Sequence, residues 1–259
     1  MMWHENEYPD SHYRTKQIIE DHLLPDFGLK PLNLITVAET ENYKTKRRFL
    51  AKASTVAKEL RTLNAVINRA VNLKIISDNP ISIVKAPQNS DSKPHRWYST
   101  DELDALYKVS GRRAHWWRLF ANTGMRRSEG QMLRRIWVQD SIRILSSQDE
   151  RTKSRKFRVI PITDGGRIAL DALAGDGVHV LPHMTKQSLS RHCANDLAKA
   201  GLDGSLHCLR HTYICHLLLA GVPIRTVQLY AGHAKISTTE IYAYQVLRED
   251  PQSALRLSL

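Results

Sequence analysis

Three cysteines in 259 residues, Cys193, Cys208 and Cys215, are too few and odd in number for a disulfide framework, which points to a reducing compartment. No apolar run approaches the roughly 20 residues of a membrane span. The opening stretch MMWHENEYPD has neither a basic n-region nor an apolar h-region, so we expect a soluble, cytoplasmic chain without a membrane partner. Histidines and cysteines gather at His192, Cys193, His207, Cys208, His211, Cys215 and His216, yet no C-x2-C pair is present. Most of them sit in helical patterns, where cysteine serves as a small buried apolar residue, so neither a metal nor a cofactor is expected. Internal repeats and low-complexity tracts are absent. Acidic residues are scarce, 26 against 38 Lys plus Arg, which gives a net charge of +12 and a pI near 9.7. That imbalance suits a polyanionic partner, nucleic acid foremost.

The excess is uneven. Before Tyr98 there are 15 basic and 11 acidic residues; after it there are 23 and 15. The basic run between Arg126 and Arg158 is diluted only by Glu129, Asp140, Asp149 and Glu150. A charge run of that kind is most often a solvated face, so it says little without neighbouring chemistry.

Periodicity predicts helices at 11–24, after the capping box Thr36 to Glu39, and from Ser54 to about Lys74, where Val56, Leu60, Leu63, Ile67, Ala70 and Val71 share one face. The polar stretch Lys85 to Pro94, KAPQNSDSKP, has two prolines and no apolar period, as an interdomain linker does. A helical N-terminal domain over 1–84 and a second domain over 95–259 follow. Ser99 to Glu102 opens the second domain with another capping box. Helices run on to Thr123-Gly124 and restart from Met125 to Arg134. Arg135 to Val138, Ile142 to Leu145 and Phe157 to Ile162 are short, β-branched and partly alternating, which predicts a three-stranded antiparallel sheet. Helices return at about 167–174, 186–200, 206–220, 223–231 and 237–245.

Four segments stand out in order: Thr123-Gly124-Met125-Arg126-Arg127-Ser128-Glu129; Thr152-Lys153; His207-Cys208-Leu209-Arg210-His211-Thr212; and Gly232-His233 followed by Ser237-Thr238-Thr239-Glu240-Ile241-Tyr242. Each alone recurs by chance, but the ordered set is specific. It resembles the tyrosine recombinase (phage integrase) family, which has an Arg after a Thr-Gly turn, a hairpin Lys, a His-x-x-Arg, a second His after Gly, and a helical Tyr about nine residues later. The resemblance covers about Trp97 to Tyr244, and more loosely the helical first part, which looks like the family's core-binding domain. Three positions depart from the pattern: Gly130 where Leu is common, Cys208 where an acid is common, and Ala231 where Leu commonly precedes Gly-His.

The chemistry can be argued from the residues. Phosphoryl transfer places charge on non-bridging oxygens, and two guanidiniums stabilise it through bidentate hydrogen bonds that stay charged at any working pH. Arg126 and Arg210 suit that role, whereas Arg127, Arg134 and Arg135 read as surface or phosphate-contacting residues. A tyrosine nucleophile must lose a proton whose reference pKa is about 10. Tyr242 is preferred to Tyr230 and Tyr244 on register with Gly232-His233. His207 is the expected general acid/base and His233 a phosphate donor, while His183, His192, His211 and His216 are expected to be structural. The resemblance assigns protonation of the leaving 5′ oxygen to Lys153, with Lys156 as its rival. Glu129 is expected to pair with a nearby Arg or helix end.

What the resemblance implies is a mainly α protein with a small antiparallel sheet, built as a two-domain clamp on double-stranded DNA carrying specific recombination sites. It implies four protomers on two duplexes, DNA-bending accessory proteins, and work in a bacterial host cell or nucleoid. A type IB topoisomerase uses similar chemistry but reseals the same strand as a monomer. A non-enzymatic DNA-binding regulator would have no need of Tyr242 and His233 together.

Overall fold

A computed structural model describes residues 9–88, 94–145 and 157–249. The chain divides into two compact units, residues 1–93 and 94–259.

In the first unit α1 (Pro9–Ile18) continues through a π turn (Ile19–Leu23) into the short α2 (Leu24–Phe27). There follow α3 (Val37–Leu50) and α4 (Ala53–Asn72). The capping box that opens α3 is formed: the Thr36 side chain accepts from Glu39 N at 3.2 Å, and the Glu39 carboxylate accepts from Thr36 N at 3.1 Å. The apolar face of α4 buries Val56, Leu60, Leu63 and Ile67 against Leu23, Phe27, Ile35, Tyr43 and Ile81. One carboxylate interrupts that face. Glu59 is fully buried and is held by Arg47 Nε at 2.9 Å and by the Tyr43 hydroxyl at 2.8 Å. A buried acid so paired satisfies the rule that interior charges come with partners.

The second unit contains α5 (Thr100–Ser110), α6 (Ala114–Thr123), α7 (Arg127–Met132), β1 (Ser141–Leu145), β2 (Phe157–Pro161), α8 (Asp164–Ala172), α9 (Lys186–Lys199), α10 (Leu206–Leu219), α11 (Ile224–Ala231) and α12 (Ser237–Glu249). Nearly every residue in the first half of α10 is buried, polar ones included. A helix that is covered all round is a core element, and α10 carries three of the site's side chains. The strands pair antiparallel, with Ile142 opposite Ile160 and Arg143 opposite Val159.

The predicted three-stranded sheet is corrected to two strands among the described residues. Arg135 to Trp137 form a 3-10 turn instead. Trp137 N donates to Arg134 O at 3.0 Å and Val138 N to Arg135 O at 2.9 Å, so those amides are spent locally. The flanking backbone pairs with a later segment, Arg135 N to Val178 O and Val180 N to Leu133 O. Alternating β-branched residues fitted a strand, but i to i+3 bonding took the segment. Helix α8 likewise starts earlier than expected, because the Thr163 side chain caps Gly166 N at 3.1 Å and draws Asp164-Gly165-Gly166 into the first turn.

Two departures from the family pattern have a local cause. A Cβ on Gly130 would lie 2.4 Å from Phe120 Cζ, so the buried Phe120 ring occupies the space a larger residue would fill. At Cys208, the thiol accepts from Ser205 N at 3.3 Å, where a carboxylate would otherwise close the capping box of α10. Gly130→Leu should lower the unfolding free energy by about 1–3 kcal/mol through overpacking. Chemical denaturation should then show part of that loss recovered in Gly130→Leu/Phe120→Ala; strict additivity of the two changes would refute the exchange of volume.

Candidate active site

Helix α6 ends at Gly124, whose φ of +59° lies in the left-handed region. A side chain there would also meet the Tyr213 ring at 2.3 Å. The turn releases Arg126 as the N-cap of α7. Helix α11 ends in the same way at Gly232, with φ +67°, releasing His233. Arg210 of α10 joins the two turns: its guanidinium donates to Gly124 O and to Ala231 O, both at 2.6 Å, and it is almost entirely buried. Arg126 donates to the next carbonyl, Gly232 O, at 3.0 Å, but its side chain is 44% exposed.

Glu129 holds the second layer. Its carboxylate receives two bonds from Arg158 of β2, at 2.8 and 2.7 Å, one from Arg126 Nη1 at 2.9 Å and one from Arg126 N at 2.6 Å. Burial pushes this carboxyl upward, but Arg158 and then Arg126 outweigh it and hold the pKa at about 2. Arg158 also donates to Tyr230 O at 2.9 Å, tying the hairpin strand to α11.

Tyr242 on α12 is only 4% exposed. Its hydroxyl lies 2.7 Å from His211 Nδ1. Histidines surround its ring: His233 stacks at 6.0 Å between centroids and His95 at 5.0 Å. His95 also stacks on His211 at 4.5 Å, and His207 meets His211 edge-on at the same distance. His233 Nδ1 is engaged by the buried Thr239 hydroxyl at 2.9 Å. Gln245 fixes His95 by accepting from its N at 3.0 Å and donating to its O at 2.6 Å. Beside this cluster a depression of about 460 Å³ is lined by Arg126, Arg127, Lys186, Ser190 and His207 among others.

Electrostatically the site is cationic, with Arg210, His211 and Tyr242 buried and Arg126 and His207 exposed. Burial, reinforced by Arg126 and Arg158, lowers the Arg210 pKa to about 10, leaving it charged at neutral pH. Burial lowers His211 to about 3, with His207, His95, Arg210 and His233 adding to the effect. His233 falls to about 4, through burial and then Arg210 and Arg126. His207 and His95 are also lowered, each chiefly by burial. Burial raises Tyr242 to about 12 against the opposing charge of Arg210.

Of the residues singled out in the sequence, Arg126, His207, Arg210, His233 and Tyr242 converge here; Lys153 and its rival Lys156 lie outside the described residues. Tyr244 is 73% exposed, and Tyr230 meets the site through its carbonyl. His211, expected to be structural, instead touches the Tyr242 hydroxyl. The signal was its spacing: four residues after His207, it shares that residue's helix face. His95 and Arg158 carried no signal, since partners 147 and 29 residues away place them. Cys193, Cys208 and Cys215 are buried and free, and among the described residues no three His, Cys, Asp or Glu side chains group as a metal site would require. No described helix is long and apolar enough to cross a membrane.

Sequence and structure comparisons agree with this geometry. The phage integrase family profile matches residues 97–247. The tyrosine recombinase XerC of Anoxybacillus flavithermus is 27% identical over 244 residues, covering 83% of this chain and 80% of that protein. The XerC of Bacillus subtilis is 28% identical over 240 residues, covering 80% and 77%. Among solved structures, a lambda integrase dimer bound to a COC′ core site superposes with a TM-score of 0.73 at 17% identity, over 89% of this chain and 70% of that one. The Tn1549 transposon integrase in complex with transposon right-end DNA gives 0.73 at 18%, over 95% and 92%. The chain belongs to the phage integrase family, the tyrosine recombinases.

The histidine cage sets a pH dependence. Histidines whose folded pKa lies below the unfolded value of about 6.5 are left unprotonated in the folded state while the unfolded chain takes up protons. Stability from them is complete above about pH 6.5 and declines as pH falls towards about 4 for His233 and about 3 for His211. Glu129, with a depressed folded pKa, adds a loss from about pH 4.3 down towards 2. Four of the five tryptophans belong to the second unit, so urea midpoints followed by tryptophan fluorescence should already fall between pH 6.5 and 5. His233→Asn should flatten that decline; a curve level down to pH 4.5 would contradict the electrostatics.

Proposed function

We propose that this recombinase opens and rejoins double-stranded DNA at specific sites through Tyr242. The observation that carries this reading is one buried tyrosine whose hydroxyl bonds to His211 and whose ring is stacked by His95 and His233, beside the buried Arg210. The Tyr242 oxygen attacks a backbone phosphate, forms a 3′-phosphotyrosyl bond and frees a 5′ hydroxyl. A 5′ hydroxyl from a partner strand then attacks that bond and restores the tyrosine. Because the phosphodiester energy is conserved in the covalent link, the exchange draws on neither ATP nor a divalent metal.

Arg126 and Arg210 take the non-bridging oxygens. Arg126, partly exposed and held by Glu129 and Gly232 O, meets the incoming phosphate; Arg210 adds fixed positive charge from within. His207, expected as the general acid/base, lines the basic depression and makes no hydrogen bond to Tyr242 among the described residues. We therefore assign it to the phosphate side with His233, whose Nδ1 is satisfied by Thr239. Lys153 donates a proton to the leaving 5′ oxygen. Both units contact duplex DNA, and exchange takes place between four protomers on two duplexes, with accessory proteins that bend the DNA. The reaction belongs in the cytoplasm or nucleoid of a bacterial host, with phage integration as one setting. The net charge of +12 supports DNA contact beyond the catalytic cluster.

Trapping on nicked suicide duplexes tests the nucleophile. Tyr242→Phe should bind DNA yet leave no covalent protein–DNA product; persistent trapping would refute the assignment. The proton donor is tested with DNA carrying a 5′-bridging phosphorothioate, whose sulfur leaves without a proton. On ordinary DNA, Lys153→Ala should slow cleavage by about 10²–10⁴-fold, with most of the rate recovered on the sulfur substrate. Rescue of Lys156→Ala instead would exchange the two lysines.

A further inference from the structure

Among the described residues the Tyr242 hydroxyl has one hydrogen-bond partner, His211 Nδ1 at 2.7 Å, a residue given no chemical role above. We propose that His211 is the base that takes the proton of Tyr242 as the tyrosine attacks, and the acid that returns it when the phosphotyrosine is resolved. The assignment rests on Tyr242 being the nucleophile.

Geometry separates His211 from the other histidines. His207 makes no hydrogen bond to Tyr242 among the described residues; it meets His211 edge-on, with ring centroids 4.5 Å apart. His233 lies parallel to the Tyr242 ring, interplanar angle 15°, and its Nδ1 is committed to Thr239. His95 stacks on both Tyr242 and His211 and is fixed through its backbone by Gln245, so it packs the pair together. With the His211 proton on Nε2, Tyr242 O–H donates to Nδ1, the direction that proton transfer requires.

The surroundings explain why the pair rests unreacted. Burial together with His207, His95, Arg210 and His233 keeps His211 neutral at working pH, an acceptor with a free lone pair. Burial meanwhile holds the proton on Tyr242, with Cys215 favouring retention and Arg210 favouring loss. A phosphodiester seated at Arg126 and Arg210 supplies the negative charge that the cluster lacks and so favours an imidazolium at His211. In the forward step the Tyr242 oxygen–phosphorus bond forms, its proton passes to Nδ1, the bond from phosphorus to the 5′ oxygen breaks, and that oxygen takes a proton from Lys153. In the reverse step a 5′ hydroxyl attacks phosphorus and gives its proton to the Lys153 amine, the bond from phosphorus to the tyrosine oxygen breaks, and the imidazolium returns its proton to that oxygen. Every proton is accounted for, and no oxidation occurs.

The test uses the full chain on a nicked suicide duplex whose sequence has been selected from a random library by covalent trapping with the wild-type protein. His211→Asn keeps a hydrogen-bonding side chain of similar reach but cannot act as a base; His211→Ala leaves room for a diffusible one. Both should bind the duplex as the wild type does and form the covalent product about 10²–10⁴-fold more slowly. Added imidazole should accelerate the Ala variant, more so for methylimidazoles of higher pKa. Asn at the wild-type rate, or an Ala defect that imidazole leaves untouched, would overturn the assignment. If the Ala variant does not fold, the Asn rate decides alone. Tyr242→Phe in the same assay keeps the two ideas apart: covalent product in that variant refutes the nucleophile itself, whereas its absence beside fully active His211 variants refutes only the base.

Discussion

The guanidinium of Arg210 is the point on which the site depends. It is buried in α10 and bonds to two carbonyls, Gly124 O and Ala231 O, that belong to the left-handed turns ending α6 and α11. Helix ends leave carbonyls without intrahelical partners, and a charged donor satisfies both at once. The turns deliver Arg126 from one side and His233 from the other. Removing the guanidinium would strand two buried acceptors and free the termini that carry Arg126 and His233. A buried cation of this kind is costly unless compensated, and the compensation from carbonyl dipoles is partial.

Glu129 does for the outer cations what the carbonyls do for Arg210. It binds Arg126 and Arg158 together and so links the α6–α7 turn to β2. A carboxylate so engaged has no free lone pair for proton transfer, which fits a structural role. The histidines differ in kind, since burial keeps them neutral among cations. Neutral imidazoles beside a desolvated tyrosine hydroxyl leave acceptor nitrogens already in place.

Much of this was legible in the sequence because the ordered motifs sit on regular local structure. Gly124 and Gly232 marked helix ends, and the capping boxes at Thr36 and Ser99 marked starts. The 3.6-residue period of α4 located its buried face. Arg126, His207, Arg210, His233 and Tyr242 could be named because the four segments occur together in the order that the resemblance requires. What escaped depended on distant partners. Arg135 to Val138 had a strand's composition, yet Trp137 and Val138 bond back to Arg134 and Arg135, and pairing with Val178 and Val180 stops at the edge of the turn. His95 stands in a polar stretch and gains meaning from Gln245, 150 residues later. His211 was visible as a face-mate of His207, but only the placement of α12 against α10 brings it to the tyrosine.

The nucleophile is tested most directly by locating the DNA on the protein. Wild-type adduct trapped on a suicide duplex can be digested with nuclease and trypsin and sequenced by mass spectrometry. Tyr242 and Tyr244 fall in one tryptic peptide, 236–248, and Tyr230 in another, 226–235. Fragmentation that places the nucleotide remnant on Tyr242 is the predicted result. A remnant on Tyr244, which is exposed on the same helix, or on Tyr230 would contradict it.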